Sequence, residues 1–249
     1  MAALACLSLA AWRGVGAQTA GEQIAFGDRD YAERRALEAL ERYAQALTLE
    51  PKNYEALWKA SREEVDLAES HGRGRAADSL LASAQRHAEA AVAASPNDAE
   101  GHFALARAIG RRALSVGTMD RIGYSKVVRR EALAVLAIDS THAGGLHVLG
   151  MWNAEIMRVN GLARAFARTF LGAAVFSLAS WDEAQRLLEQ STRLDPDRIV
   201  HHLDLGAIYA DRGDRVRARE QFEMVARAPV REFNDPLYKL QAAERLRTP

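Results

Sequence analysis

The chain has 249 residues, and its 33 Lys and Arg residues balance its 33 Asp and Glu residues at a pI of about 7.1. This neutral balance argues against nucleic acid or another polyanion as a partner. Hydrophobic residues make up 49% of the chain, enough to form a core, and Ala, Leu, Arg and Glu dominate, which favours helices. We therefore predict an all-α protein.

The N-terminus resembles a secretion signal. An apolar run over residues 2–12 ends at small residues at 15–17, a pattern typical of a signal peptide cleaved after its last small residue. We expect residues 1–17 to be removed and the chain to be periplasmic or extracellular. The alternatives are a short buried helix and a cytoplasmic protein that keeps the segment. Since Cys6 is the sole cysteine, the mature chain would hold no disulfide, thiol nucleophile or thiolate metal site.

Four helix ends divide the remaining chain into repeats. They read ALTLEPKN at 46–53, AVAASPND at 91–98, LAIDSTH at 136–142 and RLDPDR at 193–198, and three of the four contain a proline, which ends a helix. Successive helix ends lie farther apart than the length of a tetratricopeptide repeat, which is about 34 residues. The extra residues fall between the two helices of each repeat. We predict one domain over 18–249, with repeats at about 20–51, 54–96, 99–140, 143–196 and 199–229.

The two ends of this array differ from its middle. The first unit is predicted to be mostly a single long helix, over about 29–49, because its partner would run into the N-terminal apolar segment. At the other end, Asp235 is the predicted cap of a last helix over 235–246, and Pro236 takes the first helical position. We expect this helix to cover the open end of the array, as the terminal elements of repeat proteins do.

Residues 157–181, MRVNGLARAFARTFLGAAVFSLASW, contain no acidic residue. We predict an inserted amphipathic helix over 162–171 and a connecting loop, with Ser180 and Glu183 forming the capping box of the next helix. The apolar face is expected to pack on the solenoid, and the arginines to lie at the rim near acidic side chains. The alternative is weak contact with a membrane surface, which attracts basic amphipathic helices. The candidate contact residues of this insert are Leu162, Arg164, Phe166, Arg168 and Phe170.

The clearest repeat is HLDLGAIYADRGDRVRAREQFEMV at 202–225. It has the large and small residues of a tetratricopeptide hairpin at the expected spacing. The small residues Gly206 and Ala218 would allow two antiparallel helices to approach closely. Gly213 and Asp214 would form the turn between them, with Asp214 as the N-cap of the second helix.

Five segments together carry a family pattern: PNDAEGHFALARAIGRRALSVGT at 96–118, HAGGLHVLGMWNAEI at 142–156, RTFLG at 168–172, SWDEAQRLLEQSTRLDP at 180–196 and DPLYK at 235–239. Over residues 84–246 the chain resembles the regulator of microtubule dynamics family and its bacterial tetratricopeptide-like relatives. The resemblance implies a right-handed α-α solenoid with long hairpins, a C-terminal capping helix and a function in protein contacts. Animal members are associated with microtubules and organelle membranes, and we do not carry those roles over to an exported chain.

In this architecture the first helix of each repeat lines a concave groove. Aromatic rings beside arginines suit the binding of a peptide through stacking, cation–π contacts and bidentate bonds to carboxylates. For Trp58 and Phe103 the alternative is packing against the neighbouring repeat. The candidate groove residues are Trp58 and Arg62, Phe103 and Arg107, and His147 and Met151, followed by Leu203 and Ala207.

The sequence contains no pattern that indicates catalysis. GRGRAA at 72–77 lacks the third glycine of a dinucleotide loop. His142 and His147 are five apart, whereas a metal-binding pair on a helix needs a spacing of four. We therefore expect neither cofactor nor metal. The sequence predicts a non-catalytic scaffold that binds a protein or peptide in its concave groove; the alternative is a peripheral membrane- or lipid-contacting protein that uses residues 157–181. It names neither the partner nor the oligomeric state.

Overall fold

A computed structural model describes residues 19–161, 164, 165, 169 and 174–247 of the chain. The predicted signal peptide at 1–17 lies outside these residues. The described residues form eleven α-helices and one short 3-10 helix, at Ala174–Leu178, and no strand. The α-helices are α1 (Ala20–Ala32), α2 (Ala36–Leu49), α3 (Tyr54–His71), α4 (Arg75–Ala94), α5 (Ala99–Ala113), α6 (Thr118–Ile138), α7 (Ala143–Arg158), α8 (Trp181–Leu194), α9 (Ile199–Asp211), α10 (Arg215–Arg227) and α11 (Asp235–Arg247).

The helices stack as a curved double layer. Each helix packs against the next one along the chain, and α3, α5, α7, α9 and α11 also contact one another in a row. Because these odd-numbered helices are drawn together, their row forms the concave side of the stack, with α1 beside α3. We call the surface of the odd-numbered helices the inner face. The arrangement confirms the predicted α-α solenoid with a C-terminal helix at its end.

The first unit is a hairpin, so the prediction of a single helix over about 29–49 is wrong. Arg34 adopts a left-handed backbone conformation, with φ of 62°, which separates α1 from α2. Non-glycine residues rarely adopt this conformation, and no glycine, proline or asparagine marks the turn in the sequence. A capping box formed by Thr19 and Glu22 starts α1.

Close helix approach depends on small residues at the crossing points. A Cβ atom added at Gly206 would lie 2.6 Å from Cε1 of Phe222, and one added at Gly27 would lie 2.5 Å from Cε1 of Tyr43. In both hairpins the ring of the second helix therefore rests on the backbone of the first. Ala218, the other small residue predicted for the last hairpin, is buried, and Asp214 accepts a hydrogen bond from the Arg217 N–H as the predicted N-cap.

Two equivalent histidines hold the loops that precede their hairpins. Nε2 of His102 lies 3.0 Å from the carbonyl oxygen of Pro96, and Nε2 of His202 lies 3.0 Å from that of Pro196. The Nδ1 atoms contact a side chain of the second helix at 2.6 and 2.7 Å. Each ring thus joins the incoming loop to both helices of its hairpin.

His201 is a buried ionisable residue between α8 and α9. It is 1% exposed, its Nδ1 lies 3.2 Å from Oγ of Ser191, and its ring centroid lies 4.8 Å from that of His147. Burial lowers the pKa of His201 far below the usual histidine value, and the nearby charges of His147 and Arg198 lower this pKa further. The folded chain therefore keeps this imidazole neutral.

We predict that Gly206→Ala destabilises the protein, because the added methyl group overlaps the ring of Phe222. Overpacking of this kind costs about 1–3 kcal/mol, partly offset by the higher helix propensity of alanine, up to about 1 kcal/mol. Gly123→Ala is the matched control, since a Cβ atom at Gly123 in α6 has no neighbour within 4 Å. Urea unfolding should show a loss of stability for the first variant and none for the second. Equal midpoints would contradict the close approach.

We also predict that acidification lowers the free energy of unfolding of the protein, because His201 is buried as a neutral imidazole. Below a pH of about 6.5 the unfolded chain takes up a proton at this residue and the folded chain does not, so the free energy of unfolding falls as the pH falls, by up to about 1.4 kcal/mol per unit. The variant His201→Asn should therefore show a weaker pH dependence than the wild type in urea unfolding. His71→Asn, which removes an exposed histidine, should keep the wild-type slope. A wild-type slope in His201→Asn would show that the residue titrates normally.

Candidate functional site

The residues predicted for the groove lie on the inner face. All are partly buried except Leu203 on α9, which is buried. Two of the predicted pairs lie close together: the guanidinium carbon of Arg62 lies 5.3 Å from the Trp58 ring centroid, and that of Arg107 lies 5.8 Å from the Phe103 ring centroid. A role of these residues in binding stays a prediction. They are distributed as Trp58 and Arg62 on α3, Phe103 and Arg107 on α5, and His147 and Met151 on α7.

Arg62 is held by groups of α1, α2 and α3. Its guanidinium carbon lies 3.6 Å from the centroid of the Tyr31 ring, and its Nη2 donates to the Tyr43 hydroxyl at 3.3 Å. Its Nε lies 2.7 Å from Oε1 of Glu63, whose side chain is fully buried. Burial raises the pKa of Glu63 to about 7, and the charge of Arg62 opposes that rise. Arg62 thus compensates a buried carboxylate that the sequence analysis did not identify.

An ion-paired lysine joins α1 to α3 beside this arginine. Nζ of Lys59 lies 2.6 and 2.8 Å from the two carboxylate oxygens of Asp28 and 2.5 Å from Oε1 of Glu55. It also lies 5.5 Å from the ring centroid of Trp58. The inner face at this end therefore combines aromatic rings with paired charges of both signs.

Phe103 contacts the neighbouring repeat. A Cβ atom added at Gly144 in α7 would lie 2.4 Å from Cζ of this ring, and the centroids of the Phe103 and His142 rings are 4.9 Å apart. The ring therefore fills the space between α5 and α7. Trp58 likewise packs against the hydrophobic core around Leu105 and Leu149.

Two further ion pairs join α3 to α5. Nη2 of Arg107 lies 2.8 Å from Oδ1 of Asp66, and Nη2 of Arg111 lies 2.6 Å from Oε1 of Glu69. The two carboxylates are only 15% and 9% exposed. Burial lowers the pKa of both arginines, but the combined attraction of the surrounding groups, led by Asp66 for Arg107 and by Glu69 for Arg111, raises each pKa above the usual arginine value. The pairs fix the direction of the carboxylates at the middle of the inner face.

The predicted residues of α7 are engaged with α9. Nε2 of His147 lies 2.8 Å from Oδ2 of Asp204, and Met151 packs against the hydrophobic core around Leu188 and Leu203. Among the described residues, no group of three or more His, Cys, Asp or Glu side chains is arranged to hold a metal ion.

The C-terminal segment reaches across the inner face to α3, a contact that the sequence analysis missed. Nδ2 of Asn234 donates to the main-chain oxygen of Asp66 at 3.0 Å, and the hydroxyl of Tyr238 donates to Oε2 of Glu69 at 3.0 Å. Asn234 is 4% exposed and Tyr238 is 5% exposed. We call these two hydrogen bonds the clasp.

The start of α11 differs from the predicted cap. Tyr238 donates its N–H to the carbonyl of Asn234, whereas Oδ2 of Asp235 accepts from the N–H groups of Arg231 and Glu232 at 2.7 and 2.8 Å. The predicted cap residue thus stabilises the turn before the helix, because that turn would otherwise leave two N–H groups unpaired. The turn presents Asn234 to α3.

Most of the predicted insert lies outside the described residues, including Leu162, Phe166, Arg168 and Phe170. Nη1 of Arg164 donates to the carbonyl oxygens of Ile156, Met157 and Val159 at 3.2–3.4 Å. It thus binds the free carbonyl groups at the C-terminal end of α7 rather than acidic side chains of other helices, since these carbonyls carry the negative end of the helix dipole. None of the described helices has the length and apolar character that a membrane span requires.

The fold is similar to those of several solved structures, the first of which is a tetratricopeptide protein. TTC0263, a thermophilic protein of Thermus thermophilus, is 18% identical over 91% of this chain and 100% of that chain, with a TM-score of 0.66. The PilF structure of Pseudomonas aeruginosa is 12% identical over 90% and 83% of the two chains, with a TM-score of 0.53. MamA of Desulfovibrio magneticus RS-1 is 14% identical over 83% and 93%, with a TM-score of 0.50. These identities establish the fold alone.

A family model extends the comparison to sequence. A search of curated proteins gives no match. The model of regulator of microtubule dynamics protein 1-3, however, matches residues 23–248, which include α2 to α11 and almost all of α1. The match confirms the resemblance carried by the five sequence segments and extends it toward the N-terminus. The chain belongs to the regulator of microtubule dynamics protein 1-3 family.

Proposed function

We propose that this helical-repeat protein is a non-catalytic scaffold that binds a protein or peptide on its inner face. Tetratricopeptide folds serve protein–protein interaction, and we assign this interaction to the inner face. The observation that carries it is the set of partly buried ion pairs along α1, α3 and α5. Buried pairs are often neutral or unfavourable for stability compared with apolar residues of the same size. Their concentration on one surface therefore supports a role in recognition.

The chemistry of this surface suits a partner with both aromatic and charged groups. The Tyr31 and Trp58 rings lie beside arginine and lysine side chains, which favours stacking and cation–π contacts. Asp66 and Glu69 offer acceptors, and Arg107 and Arg111 offer donors, within two turns of α3 and α5. Buried aromatic and arginine residues of this kind are typical anchors of protein interfaces.

The described part of residues 157–181 favours the inner face over the membrane alternative. Arg158 is paired with Asp211 at 2.7 Å and with Glu155 at 2.5 Å, and Arg164 binds the carbonyl groups of α7. Two of the three arginines that would attract an anionic surface are therefore directed at protein groups.

We predict that Arg111→Ala weakens partner binding and that Arg130→Ala does not. Both arginines are paired with a glutamate, but Arg111 lies on the inner face and Arg130 lies on α6, with side chains 37% and 69% exposed. Peptides should be selected from a random phage-displayed library against the full chain, and their affinity measured by fluorescence anisotropy. Loss of one charged hydrogen bond, about 1.5–3 kcal/mol, should weaken binding about tenfold or more.

Circular dichroism melting of both variants checks that each one is folded. Equal effects of the two substitutions would place the binding surface elsewhere. Failure to select any peptide, or selected peptides that ignore Arg111→Ala, would likewise reject the inner face as the binding surface.

The apolar run at 2–12 supports the further proposal that the scaffold acts outside the cytoplasm. Expressed from Met1 in a Gram-negative host, the chain should be recovered from the periplasm with Gln18 as its first residue, because cleavage is expected after Ala17. Intact-mass measurement of the purified protein decides the question. A cytoplasmic product of full mass would contradict export.

A further inference from the structure

The spacing of the two clasp donors matches that of their two acceptors. Asn234 and Tyr238 are four residues apart at the start of α11, and Asp66 and Glu69 are three apart on α3. The acceptors are the main-chain oxygen of Asp66 and the carboxylate of Glu69, which lie one turn apart along α3, as Asn234 and Tyr238 do at the start of α11. The contact therefore has two points, and it recognises an amide and a phenol hydroxyl at one-turn spacing.

The acceptors on α3 are positioned without help from α11. Arg107 pairs with the carboxylate of Asp66, and Arg111 pairs with that of Glu69, both from α5. The acceptor of Asn234 is the main-chain oxygen of Asp66, which the helix α3 holds in place, and the acceptor of Tyr238 is the carboxylate of Glu69, which Arg111 holds in place whether or not the clasp is formed. Such a preformed site costs little reorganisation when a new donor binds.

The donor on α11 keeps its proton. Burial raises the pKa of Tyr238 well above the usual tyrosine value, and the charge of Glu69 raises this pKa further. The hydroxyl therefore donates to Glu69 throughout the physiological pH range, and the bond to a carboxylate is charge-assisted.

The groups that hold α11 to α9 and α10 differ from the two polar groups of the clasp, although the ring of Tyr238 carries one of those polar groups. The Tyr238 ring and Ala242 belong to the hydrophobic core with α9 and α10. Lys239 donates from Nζ to the carbonyl oxygens of Val225 and Ala226 at 3.3 and 2.8 Å, and also to that of Ala228. The contacts to α3, in contrast, are hydrogen bonds that water can replace. The helix α11 can therefore lose its hydrogen bonds to α3 and still pack against α9 and α10.

We infer that Asp66 and Glu69 form the recognition site for a partner helix that carries an asparagine and a tyrosine four residues apart, and that α11 of the same chain occupies this site until the partner displaces it. The inference rests on the proposed function of the inner face. The amide of Asn234 and the hydroxyl of Tyr238 occupy the site in the folded chain, and they show which chemical groups a partner must supply. Binding of the partner requires release of the clasp, so α11 acts as a competitor in cis.

The clasp itself is tested without any partner, by hydrogen exchange of the full chain. Tyr238→Phe removes the hydroxyl and keeps the ring, and we expect several-fold faster exchange of the α11 amides. Tyr209→Phe is the matched control, because Tyr209 is also 5% exposed and its hydroxyl donates to Glu189 at 2.9 Å. Asn234→Ala, which breaks the other contact, should act like Tyr238→Phe. Unchanged α11 exchange in both clasp variants would overturn the inference.

Recognition is tested with a labelled synthetic peptide of residues 229–247 added to the full chain. We expect it to bind the Tyr238→Phe chain about tenfold more tightly than the wild type, since the peptide keeps the tyrosine that the variant has lost. A peptide with both Asn234→Ala and Tyr238→Phe should bind that chain about tenfold more weakly. Equal binding of the two peptides, equal binding to the two chains, or no binding would each overturn the inference.

The two sets of experiments separate this inference from the function on which it rests. If display-selected peptides depend on Arg111 but bind the wild type and the Tyr238→Phe chain equally, the scaffold function holds and the competition by α11 is wrong. If no such peptides exist, hydrogen exchange still reports whether the clasp holds α11.

Discussion

Small residues at the helix crossings set the curvature on which the inner face depends. Where the ring of Phe222 rests on Gly206 and that of Tyr43 rests on Gly27, the helices of a hairpin approach closely. A larger residue would increase their separation, which is normally about 8–10 Å between axes. Since the curvature of a solenoid is the sum of small rotations between repeats, such changes would accumulate. The contact of α11 with α3 is the most sensitive to them, because it spans all the repeats from α3 to α11.

Buried ionisable groups give the protein two opposite pH dependences. The pKa of Glu63 is raised to about 7, so its contribution to stability is complete below the unfolded pKa and is lost as the pH rises towards 7. The pKa of His201 is lowered, so its contribution is present above the unfolded pKa and is lost as the pH falls below it. Both arise from burial. Arg62 reduces the effect at Glu63, whereas His147 increases the effect at His201.

The repeat fold could be predicted because its pattern is local. Prolines mark three of the four helix ends, and small residues such as Gly206 lie at helix crossings, so composition and spacing were sufficient. The break at Arg34 could not be predicted, because an arginine in a left-handed conformation carries no turn signal. Likewise, the spacing placed Arg62 and Arg107 on the inner face, but not the carboxylates that pair with them. The clasp depends on the accumulated curvature of all the repeats between α3 and α11, which no short stretch of sequence encodes.

The clasp also constrains how the chain can evolve. In an open solenoid each repeat contacts only its neighbours, so a hairpin can be duplicated or deleted with little effect elsewhere. Here α11 meets Asp66 and Glu69 only when a fixed number of hairpins lies between them, since each hairpin adds a fixed rotation and rise. Gain or loss of one unit would carry Asn234 and Tyr238 past their acceptors. The number of hairpins between α3 and α11 is therefore fixed by this contact, whereas units outside that span remain free to vary.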